Sequence, residues 1–515
     1  MIRSTTIFLT RMSVVAVLTC TLTACHVPVK KPPDIQLRTN APLAGIPEEI
    51  AGWPDQQWWK SFGDAQLDTL IDLAQKQSPA LDVLDARLQI ARAQVDAARA
   101  NAGPDVNGLA AVSRSRFSVT PKPSSGSSSS GNSSGGDSGS APSSSGGSQG
   151  FTLPTWTTSA IVGADFRYEF DWWGKNRAAI EAAMDSAHAA EVERSAALWL
   201  IQYGVATVYF DWLTLQHRLA DADEGVKIAQ TQLEIARQRT AHGVDPPQTF
   251  EQQRENLASA KQQREAMRGG SNADQAEIAA LLGVSANEVP ALTAKPLPHA
   301  DTKVPDDVRV ALLGRRPDIV ASRWMIESAA RNVDEARAEF FPDISINALA
   351  AFLRSFPTPG SPMSIKAGSV GLSAYLPIFD SGRLQAHYDI TRAQWDSAVA
   401  QYNAAVVAAA EDVVRQKVML ESLHDQRAQQ LDQLDAADNA YKQSVQRVKT
   451  GVDDPRVALG AQAQLVQQRD AAVQMDSRVL AANLSLIRAL GGGYRTDANV
   501  SAAAGDMHND SGKTP

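Results

Sequence analysis

The sequence has little of what several classes of protein require. Its only two cysteines are Cys20 and Cys25, both near the start, which excludes a disulfide framework and a cysteine-ligated zinc ribbon. Lys and Arg number 49 against 57 Asp and Glu. No surplus of positive charge can therefore neutralise a phosphate backbone, and nucleic acid is not an expected partner. A mean hydropathy of -0.24 excludes a membrane protein built from many apolar helices.

Catalytic motifs are also missing from the sequence. The eight histidines are scattered, no HExxH or CxxC motif is present, and GxSxG occurs only within the Ser- and Gly-rich stretch at residues 124–150. Neither metal nor nucleophile chemistry therefore has support. The glycine run at residues 491–493 lacks the Lys and Ser or Thr of a phosphate-binding loop and indicates a helix stop. We therefore predict that the protein is not an enzyme, has no catalytic or metal-binding residues and binds no cofactor, apart from covalent lipid.

The first 25 residues have the pattern of an export signal. Arg3 and Arg11 give a basic start, and an apolar stretch ends in Leu-Thr-Ala-Cys at Cys25. This ending resembles the lipobox of bacterial lipoproteins, which implies a diacylglyceryl group and an N-acyl chain on Cys25. Because His26 follows, and not the Asp that signals inner-membrane retention, the resemblance implies the outer membrane of a Gram-negative cell. The alternative is an ordinary signal peptide with an incidental cysteine. The predicted segments are a signal peptide at residues 1–24 and a lipid-anchored extended segment at residues 25–57.

The rest of the chain contains two copies of one plan. Residues 95–105 and 333–343 share seven identities in eleven positions. Gly174 to Gly243 and Gly382 to Gly451 are both 69 residues apart, so the segment between these glycines has a fixed length. We predict an internal two-fold repeat, with a first copy at residues 58–290, a linker at 291–310, a second copy at 311–490 and a disordered tail at 491–515.

The first copy carries an insertion of low complexity. Residues 124–150 contain 14 Ser and 8 Gly in 27 positions, a composition that cannot bury enough apolar surface to offset the entropy of ordering. We predict a disordered loop at residues 122–150, inside a β-hairpin at residues 105–170.

Long helices are predicted for the segments of fixed length. From Leu198 to Ala236, apolar or small residues recur at alternating steps of three and four, which is a heptad pattern. Each long helix ends at a tip glycine, Gly243 or Gly451, with prolines soon after that start the return helix. The predicted helical hairpins are residues 175–283 and 383–490. The heptad pattern alone is also typical of a coiled-coil scaffold or of a core helix.

Two strands are predicted in each copy. Even-numbered residues from Ala160 to Phe170 are apolar and most odd-numbered ones are polar, and residues 370–376 alternate in the same way. Strands of about ten residues have the length that crosses a bilayer, although a soluble edge hairpin fits equally well. The second β-hairpin is predicted at residues 343–378, and the predicted strand–helix junctions are Pro104, Gly174, Pro342 and Gly382.

Four strands cannot close a barrel, and open sheet edges are not tolerated in hydrocarbon. A membrane location therefore requires several chains to pool their strands. Three chains would supply about twelve strands and enclose a bore wide enough for water.

Five stretches occur in an order and spacing that are typical of a known family. They are Trp58-Trp59-Lys-Ser-Phe62-Gly-Asp64-x-x-Leu67-x-x-Leu70, Arg316-Pro317-Asp318-Ile319, Ala336-Arg337-Ala338-x-x-Phe341-Pro342, Leu376-Pro377-Ile378-Phe379-Asp380-x-Gly382-Arg383 and Ala489-Leu490-Gly491-Gly492-Gly493. With them the chain resembles the lipoprotein branch of the TolC family of outer-membrane efflux proteins. The resemblance implies an α+β homotrimer, with four strands per subunit in one twelve-stranded outer-membrane β-barrel and with long helical hairpins that form a periplasmic tunnel.

The resemblance also implies a function and partners. Such a protein is the outer-membrane channel of a tripartite system and passively conducts toxic compounds or drugs from an inner-membrane pump and a periplasmic adaptor to the exterior. The adaptor contacts and the gate would lie at the hairpin tips. These tip residues are Gly243, Val244, Asp245, Gly451, Val452, Asp453 and Asp454. The alternative function is a lipid-anchored periplasmic coiled-coil scaffold without a pore.

The acids of the second tip allow two interpretations. Many relatives carry acids several residues after this tip, whereas residues 456–461 contain none. Asp453 and Asp454 are the nearest substitutes, and three copies at one axis would form a ring that favours cations. Alternatively, they only cap the return helix.

Overall fold

The computed structural model describes residues 27–41, 53–116, 156–298, 302, 308–358 and 360–495. Cys25 and the predicted loop at residues 122–150 lie outside the described residues. Most of the described chain is α-helical, and one four-stranded sheet accompanies the helices. The predicted α+β class is therefore confirmed.

The elements follow one another in a similar order in each half of the chain. The helices are α1 (Ala65–Gln77), α2 (Pro79–Asn101), α3 (Lys175–Ala241), α4 (Pro247–Leu282), α5 (Val308–Arg315), α6 (Pro317–Ala338), α7 (Arg383–Lys449) and α8 (Pro455–Ala489). The strands are β1 (Asp105–Ser115), β2 (Trp156–Phe170), β3 (Asp343–Thr358) and β4 (Met363–Tyr375). Helices α3 and α7 are both 67 residues long, in agreement with the equal glycine spacing.

The chain divides into two compact units. The sheet unit contains residues 97–177 and 335–384, together with the N-terminal segment up to Pro28. The helical unit contains residues 29–96, 178–334 and the chain from Gln385 onward.

The sheet has the order β1-β2-β3-β4, and every neighbouring pair is antiparallel. The two predicted hairpins are β1–β2 and β3–β4. The pairing of β2 with β3 over fifteen residues, from Trp156 opposite Thr358 to Phe170 opposite Ile344, joins them into one sheet. The strands have 11, 15, 16 and 13 residues, so the predicted length of about ten is too short. Strand β3 is the longest of the four.

The heptad stripe of α3 is largely buried in the helical unit. Three residues of the stripe, Ile201, Val205 and Trp212, are buried, and they pack in one cluster with Leu67 of α1 and Leu484 of α8. Apolar side chains of α7 form a second cluster with residues of α5, α6 and α8. Helix packing of this kind explains why the stripe repeats every three or four residues.

Among the described helices, none combines the length with the hydropathy that a bilayer crossing demands.

The first family stretch builds a buried polar site beside this cluster. Asp64 caps α1 by accepting from the Gln66 backbone N–H at 2.9 Å, and it also accepts from Tyr209 Oη at 2.5 Å and from Lys295 Nζ at 2.7 Å. Burial raises the pKa of Asp64, but the hydrogen bonds from Lys295, Tyr209 and Gln66 outweigh that effect and hold the pKa below its ordinary value. The carboxylate therefore ties α1 to α3 and to the chain that follows α4.

The predicted boundaries of the linker and the tail need correction. Helix α5 begins at Val308, inside the predicted linker at residues 291–310. Gly491 to Gly493 are buried and have positive φ, and a side chain at Gly492 would overlap the Trp199 indole. The packed fold therefore continues past residue 491, where the sequence predicts a disordered tail.

The segment at residues 27–41 contains no helix or strand and runs along α7. Tyr388 Oη donates to the Val29 carbonyl at 3.3 Å, Arg392 Nη2 to Asp34 at 2.8 Å, and Asn403 Nδ2 to the Gln36 carbonyl at 2.8 Å. These hydrogen bonds order an extended segment without giving it regular structure.

Candidate functional site

One face of the sheet is apolar and exposed. Because side chains alternate along a strand, the pairing registers place all even-numbered strand residues on one face. Val112, Val370 and Leu372 on this even face are 77%, 77% and 74% exposed. Exposed apolar residues in such number mark a surface that something apolar covers.

The odd-numbered face of the sheet is more polar. Asn107 Nδ2 donates to Asp165 at 3.4 Å across β1 and β2, and Asn347 Nδ2 donates to Ser373 at 2.7 Å across β3 and β4. All acids of the four strands lie on this odd face. They are Asp105, Asp165, Glu169 and Asp343.

The outer strands of the sheet have no partner within the described chain. Strand β1 pairs only with β2, and β4 pairs only with β3. Each outer strand therefore presents a row of free backbone donors and acceptors, which soluble proteins normally shield.

Aromatic side chains lie at both ends of the sheet. At one end, Trp156 is 40% and Phe356 39% exposed. At the other end, Trp172 follows β2 and Phe379 follows β4, and they are 66% and 87% exposed. Aromatic residues at two levels are typical of strands that cross a bilayer, because their rings favour the interface.

The predicted strand–helix junctions lie where strands meet helices. Pro104 and Pro342 directly precede β1 and β3. Gly174 and Gly382 have φ of 78° and 86° and directly precede the long helices α3 and α7. Ahead of each glycine an aspartate accepts backbone N–H groups at the helix start. These hydrogen bonds are Asp171 with Asn176 and Arg177, and Asp380 with Gly382 and Leu384.

The two hairpin tips have the same local geometry. Gly243 and Gly451 have φ of 71° and 74°, which only glycine adopts at low cost. The next residues, Val244 and Val452, are 59% and 62% exposed. Each tip therefore presents one apolar side chain to its surroundings.

The tip acids are paired with arginines. Arg239 holds Asp245 through two hydrogen bonds of 2.8 and 3.0 Å, and Arg447 holds Asp453 through two of 2.6 and 3.0 Å. The hydrogen bonds from the guanidinium groups lower the pKa of both carboxyls. Both copies contain the spacing Arg-x-x-x-Gly-Val-Asp, and this is the sequence signal that could have revealed these pairs.

A second set of contacts joins the two tips. Arg456 of α8 lies 3.5 Å from Asp245 of the first tip and 3.1 Å from Asp454 of its own. Arg239 completes the set at 3.9 Å from Asp454. Asp454 also accepts from the Arg456 backbone N–H at 2.8 Å and caps α8. The capping interpretation therefore holds for Asp454, and the acids of a predicted cation-favouring ring are each neutralised within the subunit.

The described residues contain no group of three or more His, Cys, Asp and Glu side chains placed to hold a metal ion.

Comparisons with known proteins agree with this arrangement. A family model described as outer membrane efflux protein matches residues 70–284 and 308–492. The multidrug resistance outer membrane protein MdtQ of Escherichia coli O157:H7 is 29% identical over 454 residues, which cover 86% of this chain and 89% of MdtQ. MdtP of Escherichia coli strain K12, also called a multidrug resistance outer membrane protein, is 27% identical over 465 residues, or 90% and 91% of the two chains.

Solved structures share the fold. The outer membrane protein VceC of Vibrio cholerae superposes with a TM-score of 0.69 at 28% identity, over 86% of this chain and 100% of VceC. The CmeC outer membrane channel of Campylobacter jejuni superposes with a TM-score of 0.74 at 20% identity, over 94% and 98%, which shows the fold alone. The family resemblance found in the sequence is confirmed, and this chain belongs to the outer membrane efflux protein family.

Proposed function

We propose that this protein is the outer-membrane channel of a tripartite efflux system. It passively conducts toxic compounds or drugs from an inner-membrane pump and a periplasmic adaptor to the exterior. The observation that carries the proposal is the four-stranded sheet, with one apolar face, one polar face and two edges that no described strand pairs with.

The apolar face has the height of a bilayer core. On β2 it extends over the ten residue steps from Ala160 to Phe170, which is about 33 Å along a strand at roughly 3.3 Å per residue. At the tilt of about 40° found in outer-membrane barrels, that length projects to about 25 Å, the height of their apolar band.

The open edges require further copies of the chain. Strands β1 and β4 run in opposite directions, because three antiparallel pairings separate them. The β4 edge of one copy can therefore pair antiparallel with the β1 edge of the next, and such a contact repeats around a ring. Three copies supply about twelve strands, which leave room for water inside. With the polar odd face inward, the bore is wetted and the apolar even face meets lipid.

Lipid on Cys25 adds a second attachment to the outer membrane. Acyl chains each contribute about 0.8 kcal/mol per buried CH₂, so two or three chains anchor a protein stably. The extended segment at residues 27–41, ordered by α7, would connect this anchor to the helical unit.

The tips supply the adaptor contact and the gate in this proposal. Val244 and Val452 present apolar surface for an adaptor, and the Arg456 bridge to Asp245 holds the two tips of one subunit together. Opening would have to separate these charges.

A charge on the even face tests the proposal against the scaffold alternative. In a barrel, Val370→Lys places an ammonium against the bilayer centre, at a cost of about 2–4 kcal/mol per subunit. Ser369→Lys adds the same charge one residue away on the odd face. We expect wild type and Ser369→Lys to form heat-modifiable trimers that conduct ions in planar lipid bilayers, and Val370→Lys to fail in both.

The scaffold alternative gives a different outcome. Val370 is 77% exposed in the single chain, so a sheet that stays in water would tolerate lysine there. The channel proposal would be overturned if the wild type were monomeric and passed no ions, and if both variants behaved as the wild type does.

A further inference from the structure

The even face of the sheet carries charge at one end only. Its charged side chains are Arg114, Arg354 and Lys366, and Arg116, which directly follows β1, extends the same set. We call these four residues the basic rim. The even face contains no acid, and none of the four cations has an ion-pair partner within the described residues. The opposite end of the face, at Phe170, Ile344 and Ala374, is uncharged.

The register spreads the basic rim over three strands of the sheet. Arg354 lies opposite Ser364 on β4, so Lys366 is two residues along the adjacent strand. Arg114 lies opposite Thr158, which lies opposite Phe356 on β3. With strands about 4.8 Å apart, Arg354 and Lys366 on adjacent strands can reach one phosphate, and β1 with Arg114 and Arg116 lies two strands, or about 10 Å, from β3.

Aromatic rings hold the guanidinium groups at this end of the face. Arg114 and Arg116 lie over the Trp156 ring at 5.1 and 5.7 Å, and Arg354 lies over the Phe356 ring at 5.2 Å. Stacked guanidinium groups keep their N–H donors at the ring edge, free to meet an acceptor. All four side chains of the rim are exposed.

Unpaired cations beside a lipid-facing surface need anionic partners. Long basic side chains reach toward the head groups, and a guanidinium binds phosphate through two parallel hydrogen bonds. A phosphate monoester carries a charge of about -1.5 to -2 near neutral pH. Two pairs of cations, Arg114 with Arg116 and Arg354 with Lys366, therefore match a head group with two phosphates better than one with a single phosphodiester.

We propose that the basic rim binds a membrane lipid with two phosphates on its head group, of the lipid A class, in the leaflet at the loop end of the sheet. This inference rests on the proposed function, because it requires the even face to meet lipid. The lipid would neutralise the rim and hold β1, β3 and β4 in one membrane register.

The test compares the basic rim with a cation on the other face. The rim variant is Arg114→Gln/Arg354→Gln/Lys366→Gln, and the matched control is Arg167→Gln, an exposed cation on the odd face of β2. Detergent-solubilised trimers are titrated with bisphosphorylated lipid A, with monophosphoryl lipid A and with inorganic phosphate, and bound lipid is counted by native mass spectrometry. Heat modifiability confirms that each variant is a folded trimer.

We expect wild type and Arg167→Gln to bind bisphosphorylated lipid A, less so at high salt, and the rim variant to lose about tenfold or more in affinity. Monophosphoryl lipid A should bind more weakly, and inorganic phosphate should not compete at equal concentration. Equal affinity of wild type and rim variant, or an equal loss in Arg167→Gln, would overturn the proposal. Strong competition by inorganic phosphate would make the rim a general phosphate site and would also overturn it.

Conductance in planar bilayers separates this inference from the proposed function. A rim variant that conducts normally but binds no lipid supports both. A wild type that conducts without lipid A affinity overturns the inference alone, whereas a wild type that does not conduct overturns the channel.

Discussion

Asp64 shows how a single residue couples stability to pH. Its folded-state pKa is lowered, so its contribution to stability is present above the unfolded pKa of about 3.9 and is lost as pH falls through the lower folded value. We predict that Asp64→Asn reduces the free energy of unfolding by about 1.5–3 kcal/mol near pH 7, because charge-assisted hydrogen bonds are lost. Denaturant unfolding followed by tryptophan fluorescence measures the loss.

The same measurement near pH 3 should show a smaller difference between Asp64→Asn and wild type. The control is Asp72→Asn, which replaces an exposed acid on the same helix. It should leave the free energy of unfolding unchanged at both pH values. A penalty in Asp64→Asn that is equal at both pH values would mean that shape, and not charge, makes Asp64 important.

In the sequence, Asp64 stands out only as a member of the first family stretch. A Gly-Asp pair ahead of an apolar periodic stretch is also a local signal of a helix cap, which could have indicated its position at the start of α1. Tyr209 and Lys295, however, are 145 and 231 residues away along the chain, and no local pattern links positions so distant. The tip pairs are the opposite case, because Arg239 and Asp245 are only six residues apart and recur as Arg447 and Asp453.

At the scale of elements, Asp245 and Asp453 occupy equivalent positions in the two repeats. Comparing them distinguishes the effect of an ion pair between hairpins from the effect of tip charge alone. Asp245 contacts Arg239 of its own hairpin and Arg456 of the other, whereas among the described residues Asp453 contacts a single arginine, Arg447 of its own hairpin. We predict that Asp245→Asn raises the open fraction of single channels in planar bilayers, and that Asp453→Asn leaves it at the wild-type level. High salt should reduce the difference, because it screens exposed charges.

Both variants remove one negative charge per subunit, so each is the control for the other. If Asp453→Asn opened the channel as much as Asp245→Asn, charge at the tip would govern opening. An altered cation preference in Asp453→Asn would support the interpretation that the acids of the second tip form a cation-favouring ring.

Element types were predictable because their patterns are local. The three-four periodicity of α3 and the alternation on β2 follow from contacts that each helix or strand makes along one face. The pairing of β2 with β3 was not predictable, since the two strands are separated by more than 170 residues and by a helical hairpin. Strand ends were also missed, because a polar residue on the even face, such as Thr158, continues a strand without continuing its apolar pattern.

For the whole molecule, the seam between copies is the decisive contact. Within one subunit β1 and β4 are separated by two strands, or about 14 Å at three spacings of roughly 4.8 Å. A disulfide needs Cα atoms within about 7 Å. Any disulfide between β1 and β4 must therefore join different subunits. The sequence has only two native cysteines, so few other disulfides can form in the same experiment.

We predict that Gly108→Cys on β1, combined in turn with Gly368→Cys, Val370→Cys or Leu372→Cys on β4, yields covalent dimers and trimers on oxidation with at least one partner. Continuous antiparallel pairing keeps even-numbered residues on one face across the seam, so Gly108→Cys with Ser369→Cys should not cross-link. Non-reducing electrophoresis of membrane extracts reads the result. Cross-linking with Ser369→Cys alone would mean that the pairing between subunits is shifted by one residue, which would turn an apolar face inward. If no pair cross-links, the edges of the sheet do not pair with a second copy of the chain.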